Sequence, residues 1–203
     1  ELVGYDVDVA RAVAEKLGLK IEFLTAPWDA MLAAFDAGKA DAVFNQVSIT
    51  DERKKKYEYS VPYTVVYGAI IVHKDNNDIK SFEDLKGKKN ADSATSNWAQ
   101  VAKKYGAQNV TVDSFAKSME LLIARRVDTV VRDNTVFYDF LKQRPDAPIK
   151  IAAKLKDVDY SAAIVQKGNK ELADQISKAL NELKAEGRLK EISLKYFGKD
   201  VSE

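Results

Sequence analysis

The sequence predicts an α/β protein built as two similar lobes, each a mostly parallel sheet flanked by helices. Three observations carry that prediction. Short apolar strands alternate with amphipathic helices along the chain, the pattern of sheets whose ligands gather at the strand carboxyl ends. A weak internal repeat relates Trp28 to Phe44 (helix, Gly38-Lys39-Ala40-Asp41, strand) to Ala116 to Val131 (helix, Arg125-Arg126-Val127-Asp128, strand). Each copy ends in a polar elbow, Asn45-Gln46 or Arg132-Asp133-Asn134, so two strand ends are expected at one cleft.

In chain order, residues 6 to 17 set Val9, Val13 and Leu17 at helical spacing, and Gly18 ends that helix before a predicted strand, Lys20 to Leu24. A helix from about Trp28 to Ala37 turns Met31, Leu32 and Phe35 inward, and a strand runs from Asp41 to Phe44. The aromatic run from Tyr57 to Tyr63 is broken by Pro62, and Val65 to Val72 reads as extended. Helices at 81–85, 96–105, 114–125 and 135–142 then alternate with strands at 110–112 and 128–131. A strand from Tyr160 to Val165 and two helices, Lys170 to Ala185 and Leu189 to Tyr196, close the chain.

Composition excludes whole classes of function. At 203 residues and 46% hydrophobic content the chain buries a substantial core, and a net charge of +1 offers no basic field for nucleic acid. The runs Lys54-Lys55-Lys56 and Lys86 to Lys89 are balanced by nearby acids and read as solvated faces. With no Cys and a single His, His73, neither thiol chemistry, a multi-His metal site nor a Ser-His-Asp triad is expected; His73 itself reads as surface. No cofactor is implied. No apolar run approaches a membrane span and no signal peptide is visible, so the chain reads as soluble.

The first elbow sets a hydroxyl at Ser48, a helix cap at Thr50 and a fixed cation at Arg53 straight after a strand, an arrangement suited to a small carboxylate. An ordinary surface turn is the alternative. The second elbow carries Asp133, either a cap for the helix near Thr135 or a partner for an ammonium, or both. An α-amino acid has both charges, and Arg on one wall with Asp on the other matches its dipole.

Gly4-Tyr5-Asp6-Val7-Asp8-Val9, with Val13-Ala14 and Leu17, resembles the signature of the bacterial extracellular solute-binding proteins that deliver polar amino acids to ABC importers. The resemblance continues through Trp28-Asp29, Gly38 to Asp41, Ser48-Ile49-Thr50 with Arg53, Pro62-Tyr63, Asp84 to Lys88, Asp128, Asp133 and Tyr196-Phe197-Gly198. It implies a two-lobed periplasmic-binding-protein type II fold, with lobe 1 from residues 1–66 and 158–203 and lobe 2 from 67–157, closing about hinges near Val65 to Gly68 and Asp157 to Tyr160. It further implies that Arg53 pairs with the substrate carboxylate, Ser48 and Ser96 hydrogen-bond it, Gln46 contributes its backbone carbonyl, and Asp133 holds the ammonium. Trp28 lines the side-chain pocket or is a core aromatic; Arg132 reaches the substrate side chain or is solvated. The run from Asn45 through Thr64 is similar to the cystine-binding branch, with other polar amino acids open. The partners implied are an amino acid and a membrane permease, with no nucleic acid, in the periplasm or on a lipid anchor outside a Gram-positive membrane.

Two departures stand out. The first strand of lobe 2, Asn90 to Trp98, is polar where the family is apolar and Gly-rich, which leaves the contacts of Thr95, Ser96 and Asn97 less defined than those of Arg53. The strand and aromatic loop that normally precede Gly4 are absent from this sequence, so the first lobe is expected to lack its initial strand. Unpaired edges call for repair, by rearrangement or by a partner chain such as a homodimer. The competing functions are a cyclohexadienyl dehydratase-like enzyme of the same fold, for which no spare cleft acid is evident, and an amino-acid sensor domain.

Overall fold

The elements follow from local sequence. In the computed structural model, which describes residues 1–94 and 96–203, helices α1 (Tyr5–Lys16) and α2 (Trp28–Asp36) precede strand β1 (Ala42–Ser48), helix α3 (Asp51–Lys56) and the long strand β2 (Tyr57–His73). A 3-10 turn (Phe82–Leu85) leads to β3 (Lys89–Asp92), α4 (Asn97–Lys104), β4 (Gln108–Thr111), α5 (Phe115–Ile123), β5 (Val130–Asp133) and α6 (Asn134–Gln143). A second long strand, β6 (Ile149–Gln166), and helices α7 (Lys170–Ala185) and α8 (Arg188–Phe197) complete the chain. Two units result, Glu1–Val65 with Asp159–Glu203, and Val66–Val158.

In the first unit, α1 buries Val9 and Val13 as its spacing predicts, with Asp6 and Asp8 in its first turn and Lys16 in its last, signs that suit the helix dipole. It packs against α7, α8 and β1. Phe35, Val43, Val47, Tyr57 and Ile164 form the core beneath β1, with Met31 and Leu32 against it. Strand β1 pairs antiparallel with β6 from Ala42↔Val165 to Ser48↔Ser161. Val43 faces Ile164 but Val47 faces Ala162, so β1 bulges between them, and Gln46 lies in the bulge at φ +50°.

The second unit is a sheet covered on both faces. Ile71, Ala91, Met119, Leu122, Val130 and Phe137 make one core, and Ile70, Val72, Phe82, Leu85, Ala102 and Val131 the other. Ile70 and Ile71, like Val130 and Val131, are sequence neighbours on opposite faces, the period of a strand buried on both sides. The polar residue Asn90 is fully buried there with both ends of its amide bonded: Nδ2 donates to Asn109 (3.2 Å), and Oδ1 accepts from the Thr129 hydroxyl and the Val131 N–H, both at 3.0 Å.

Four expectations are corrected. Residues 20–24 form no strand: residues 19–27 lie outside helix and strand, with Leu19, Phe23 and Leu24 exposed, and no described segment supplies the ladder a strand requires. The first elbow is not a turn after Phe44, because the bulge lets β1 continue to Ser48. Pro62 does not break the aromatic run, since β2 passes through it with Tyr57 and Tyr63 buried. His73 is mostly buried, its side chain 13% exposed beside Asp75. The sheets also hold more antiparallel pairing than the alternation of elements suggests. A parallel ladder joins β3 to β4 and a single parallel bridge joins Asn90 to Thr129, while the two long strands pair antiparallel with β1 and β5.

Candidate functional site

The first unit builds its elbow around Arg53. Thr50 caps α3, its hydroxyl accepting from the Arg53 N–H at 3.1 Å, which fixes where the Arg53 side chain leaves the helix. Nη1 then donates to the Ser48 carbonyl at 3.2 Å, and the guanidinium lies 5.7 Å from the Trp28 ring centroid. The Tyr59 hydroxyl donates to the same Ser48 carbonyl at 2.8 Å. No carboxylate pairs with Arg53 among the described residues, so a half-buried cation is held in place with its charge unmet. The Ser48 carbonyl, Arg53 and Trp28 thus come together, and Trp28 is partly exposed rather than part of the core.

Gln46 is held through its side chain and its N–H. Its side-chain Nε2 donates to Asp6 Oδ1 at 2.9 Å and to Thr64 Oγ1 at 3.0 Å, and its N–H reaches the same Asp6 oxygen at 3.3 Å. The Tyr63 hydroxyl adds a 2.5 Å bond to that oxygen. Complete burial, with Asp6 alongside, holds the Tyr63 hydroxyl well above the ordinary tyrosine range, so it stays a donor. Asp6, in the first turn of α1, therefore clamps the bulge that carries the elbow. Its residue type and place in the Gly4-Tyr5-Asp6 run were visible in sequence; its partner was not.

In the second unit Asp133 ends β5 opposite Gly68 and caps α6, Oδ1 accepting from the Val136 N–H (3.1 Å) and the Thr135 hydroxyl (2.5 Å). Ser96 caps α4 by accepting from the Trp98 N–H at 3.1 Å, Asn97 is exposed at the start of that helix, and Thr95 lies outside the described residues. Arg132 is half-buried: Nη1 lies 3.5 Å from Oδ1 of the buried Asp92, and the guanidinium stands 5.6 Å from the Phe115 ring centroid. Asp92 was missed in the sequence. A carboxylate inside a strand otherwise buried was the available signal.

These half-sites sit in a chain that matches, over residues 1–199, the bacterial extracellular solute-binding proteins, family 3. The chain belongs to that family, an extracytoplasmic class of binding proteins. It is 42% identical over 203 residues to a probable amino-acid ABC transporter-binding protein of Haemophilus influenzae, covering 100% of this chain and 79% of that one. It is 40% identical to the L-cystine-binding protein TcyA of Bacillus subtilis, covering 100% and 75%. Among solved structures, the L-cystine solute receptor of Neisseria gonorrhoeae in its unliganded open conformation aligns with TM-score 0.94 and 45% identity, over 100% of this chain and 86% of that one. These relatives are named as binding proteins rather than enzymes. Among the described residues no helix is long and apolar enough to cross a membrane.

Proposed function

We propose that this chain is the substrate-binding component of an ABC importer for a polar amino acid, cystine first among them, and that it catalyses no reaction on its ligand. Arg53 takes the α-carboxylate with help from the Ser48 and Ser96 hydroxyls, Asp133 takes the α-ammonium, and Trp28 contributes an aromatic wall. The observation that carries the reading is the Arg53 guanidinium, oriented by a carbonyl and a ring and lacking an acidic partner among the described residues. The names of the Bacillus subtilis and Neisseria gonorrhoeae relatives support cystine. A membrane permease is the protein partner, and the protein acts in the periplasm or from a lipid anchor on the outer face of a membrane. The exposed apolar side chains Leu19, Phe23 and Leu24 support a second copy of the chain as an additional partner. Light scattering that finds a monomer at every concentration removes that part.

Calorimetry against a panel of amino acids including cystine tests the main proposal. Binding of cystine that Arg53→Ala eliminates is the expected outcome; no binding by any amino acid overturns the reading. A product assay with prephenate or arogenate that yields turnover would overturn the non-enzymatic part.

A further inference from the structure

The Asp92–Arg132 pair is poorly made as a stabilising ion pair. Strong Arg–carboxylate pairs are bidentate and short. Here one nitrogen meets one oxygen at 3.5 Å, and both Asp92 Oδ2 and Arg132 Nε are buried without a hydrogen-bond partner among the described residues. Buried pairs contribute little net stability even with full geometry, and an unmade donor and acceptor cost more. Yet the Asp92 side chain is only 7% exposed, and its Oδ1 is fixed by the Ser93 N–H at 2.8 Å.

Its chain neighbourhood suggests what the pair does. Arg132 directly precedes Asp133, with Cα atoms about 3.8 Å apart. A guanidinium released beside Asp133 would be the best available partner for that carboxylate, better matched in shape than an ammonium. Successive strand residues point to opposite faces, and Asp92 with the Phe115 ring holds Arg132 on its own face of β5. The Asp133 carboxylate is meanwhile aimed by the Thr135 hydroxyl and the Val136 N–H, both neutral donors that leave its charge intact.

We propose that Asp92 is a positioning residue: it withdraws the Arg132 cation from Asp133 and so keeps that carboxylate available to a ligand's ammonium. This rests on the assignment of Asp133 above. Arg132 is thereby removed from the set of groups that touch ligand, and a neutral residue in its place would make Asp92 dispensable.

The test is a variant cycle read by calorimetry with L-cystine and L-glutamine, each variant checked for cooperative thermal unfolding. Asp92→Asn should weaken binding about tenfold or more by freeing Arg132. The double variant Asp92→Asn with Arg132→Gln should recover to within about threefold of the unaltered protein. A pair that merely pins β3 to β5 predicts the reverse, a double variant no better than Asp92→Asn, and that outcome overturns the inference; so does Asp92→Asn binding as the unaltered protein does. If Asp92→Asn fails to unfold cooperatively, Asp92→Ser takes its place with the same expectations. Asp133→Asn separates the two levels. If it binds normally, the ammonium assignment fails; if it loses binding while the Asp92 variants do not, the assignment stands and only the role of Asp92 fails.

Discussion

The elbow of the first unit holds Arg53 with no acidic partner among the described residues, whereas the elbow of the second unit holds its cation, Arg132, tied to Asp92. Arg53 lies in the first turn of the helix that follows β1, and Arg132 near the end of β5 just before α6. In the first, the guanidinium meets a carbonyl and an aromatic ring, groups that orient a cation without neutralising it. In the second, the carboxylate of Asp133 is oriented by neutral donors while the adjacent cation is diverted. Each elbow presents one charge without an ion-pair partner among the described residues, by a different route, and on the function proposed above these charges meet the carboxylate and the ammonium of an α-amino acid.

The widest break in that comparison is Arg53→Ala. It removes the unmet cation and leaves a ligand carboxylate desolvated without a partner, which costs about 3–5 kcal/mol. Cystine binding should disappear from calorimetry while thermal unfolding barely changes, because the half-buried side chain contributes one carbonyl bond. Asp133 should separate its two functions. Asp133→Asn keeps a capping oxygen and loses the charge, so binding should vanish with little change in stability. Asp133→Ala loses both, adding a cap penalty of about 1 kcal/mol that denaturant unfolding would register.

Asp6→Ala sharpens the comparison from beneath the first elbow. It leaves the Gln46 N–H and the buried Tyr63 hydroxyl without that acceptor, and Gln46 Nε2 with Thr64 alone, at a cost of about 1–3 kcal/mol, and frees the bulge that carries Ser48. Affinity should fall along with stability, and Asp6→Asn, which can still accept, should recover part of both. Gly68→Ala is the counterpart in the second unit. A Cβ there would overlap the Trp98 ring and come within 2.8 Å of Leu155, beside the β5 residue Asp133. Overpacking of this kind costs about 1–3 kcal/mol, measurable as a lower denaturation midpoint.

Sequence reached the helices and the charged residues more fully than the joints between them. Val9, Val13 and Phe35 announce buried helix faces by spacing alone, and Thr50, Ser96 and Asp133 announce caps by type and place. Local rules govern both. The bulge at Gln46 was hidden because it depends on β6, more than a hundred residues away in the chain, and on Asp6 in α1. Arg132 could not be resolved between ligand contact and solvent because its partner, Asp92, lies on another strand. Lys20 to Leu24 has the composition of a strand, but pairing is a property of two segments, and composition reports on one.

Acid should act more strongly on the first unit than on the second. Three of its carboxylates sit below their ordinary values of 3.8 for Asp and 4.5 for Glu. For Asp8, burial pulls upward but hydrogen bonds from Lys195 and Tyr196, each at 2.8 Å, prevail. For Asp36 the Lys56 bond at 2.6 Å leads, and for Glu58 the Gly168 N–H at 3.2 Å. In the second unit only Asp84 is clearly depressed among the described residues, by the Lys80 N–H first and by Ser81 in the capping box of the 3-10 turn. A carboxylate with a depressed folded value stabilises the fold above its unfolded value and loses that contribution as pH falls through the folded one. Amide hydrogen exchange followed from about pH 5 down to about pH 3, corrected for intrinsic rates, should therefore show protection falling faster in α1, α2 and α8 than in α4 and α5. These groups lie at the surface and keep part of their side chains in solvent, so the difference should be small and should shrink in high salt. Equal loss in both units would mean that hydrogen-bonded surface carboxylates of this kind do not set the acid response of either.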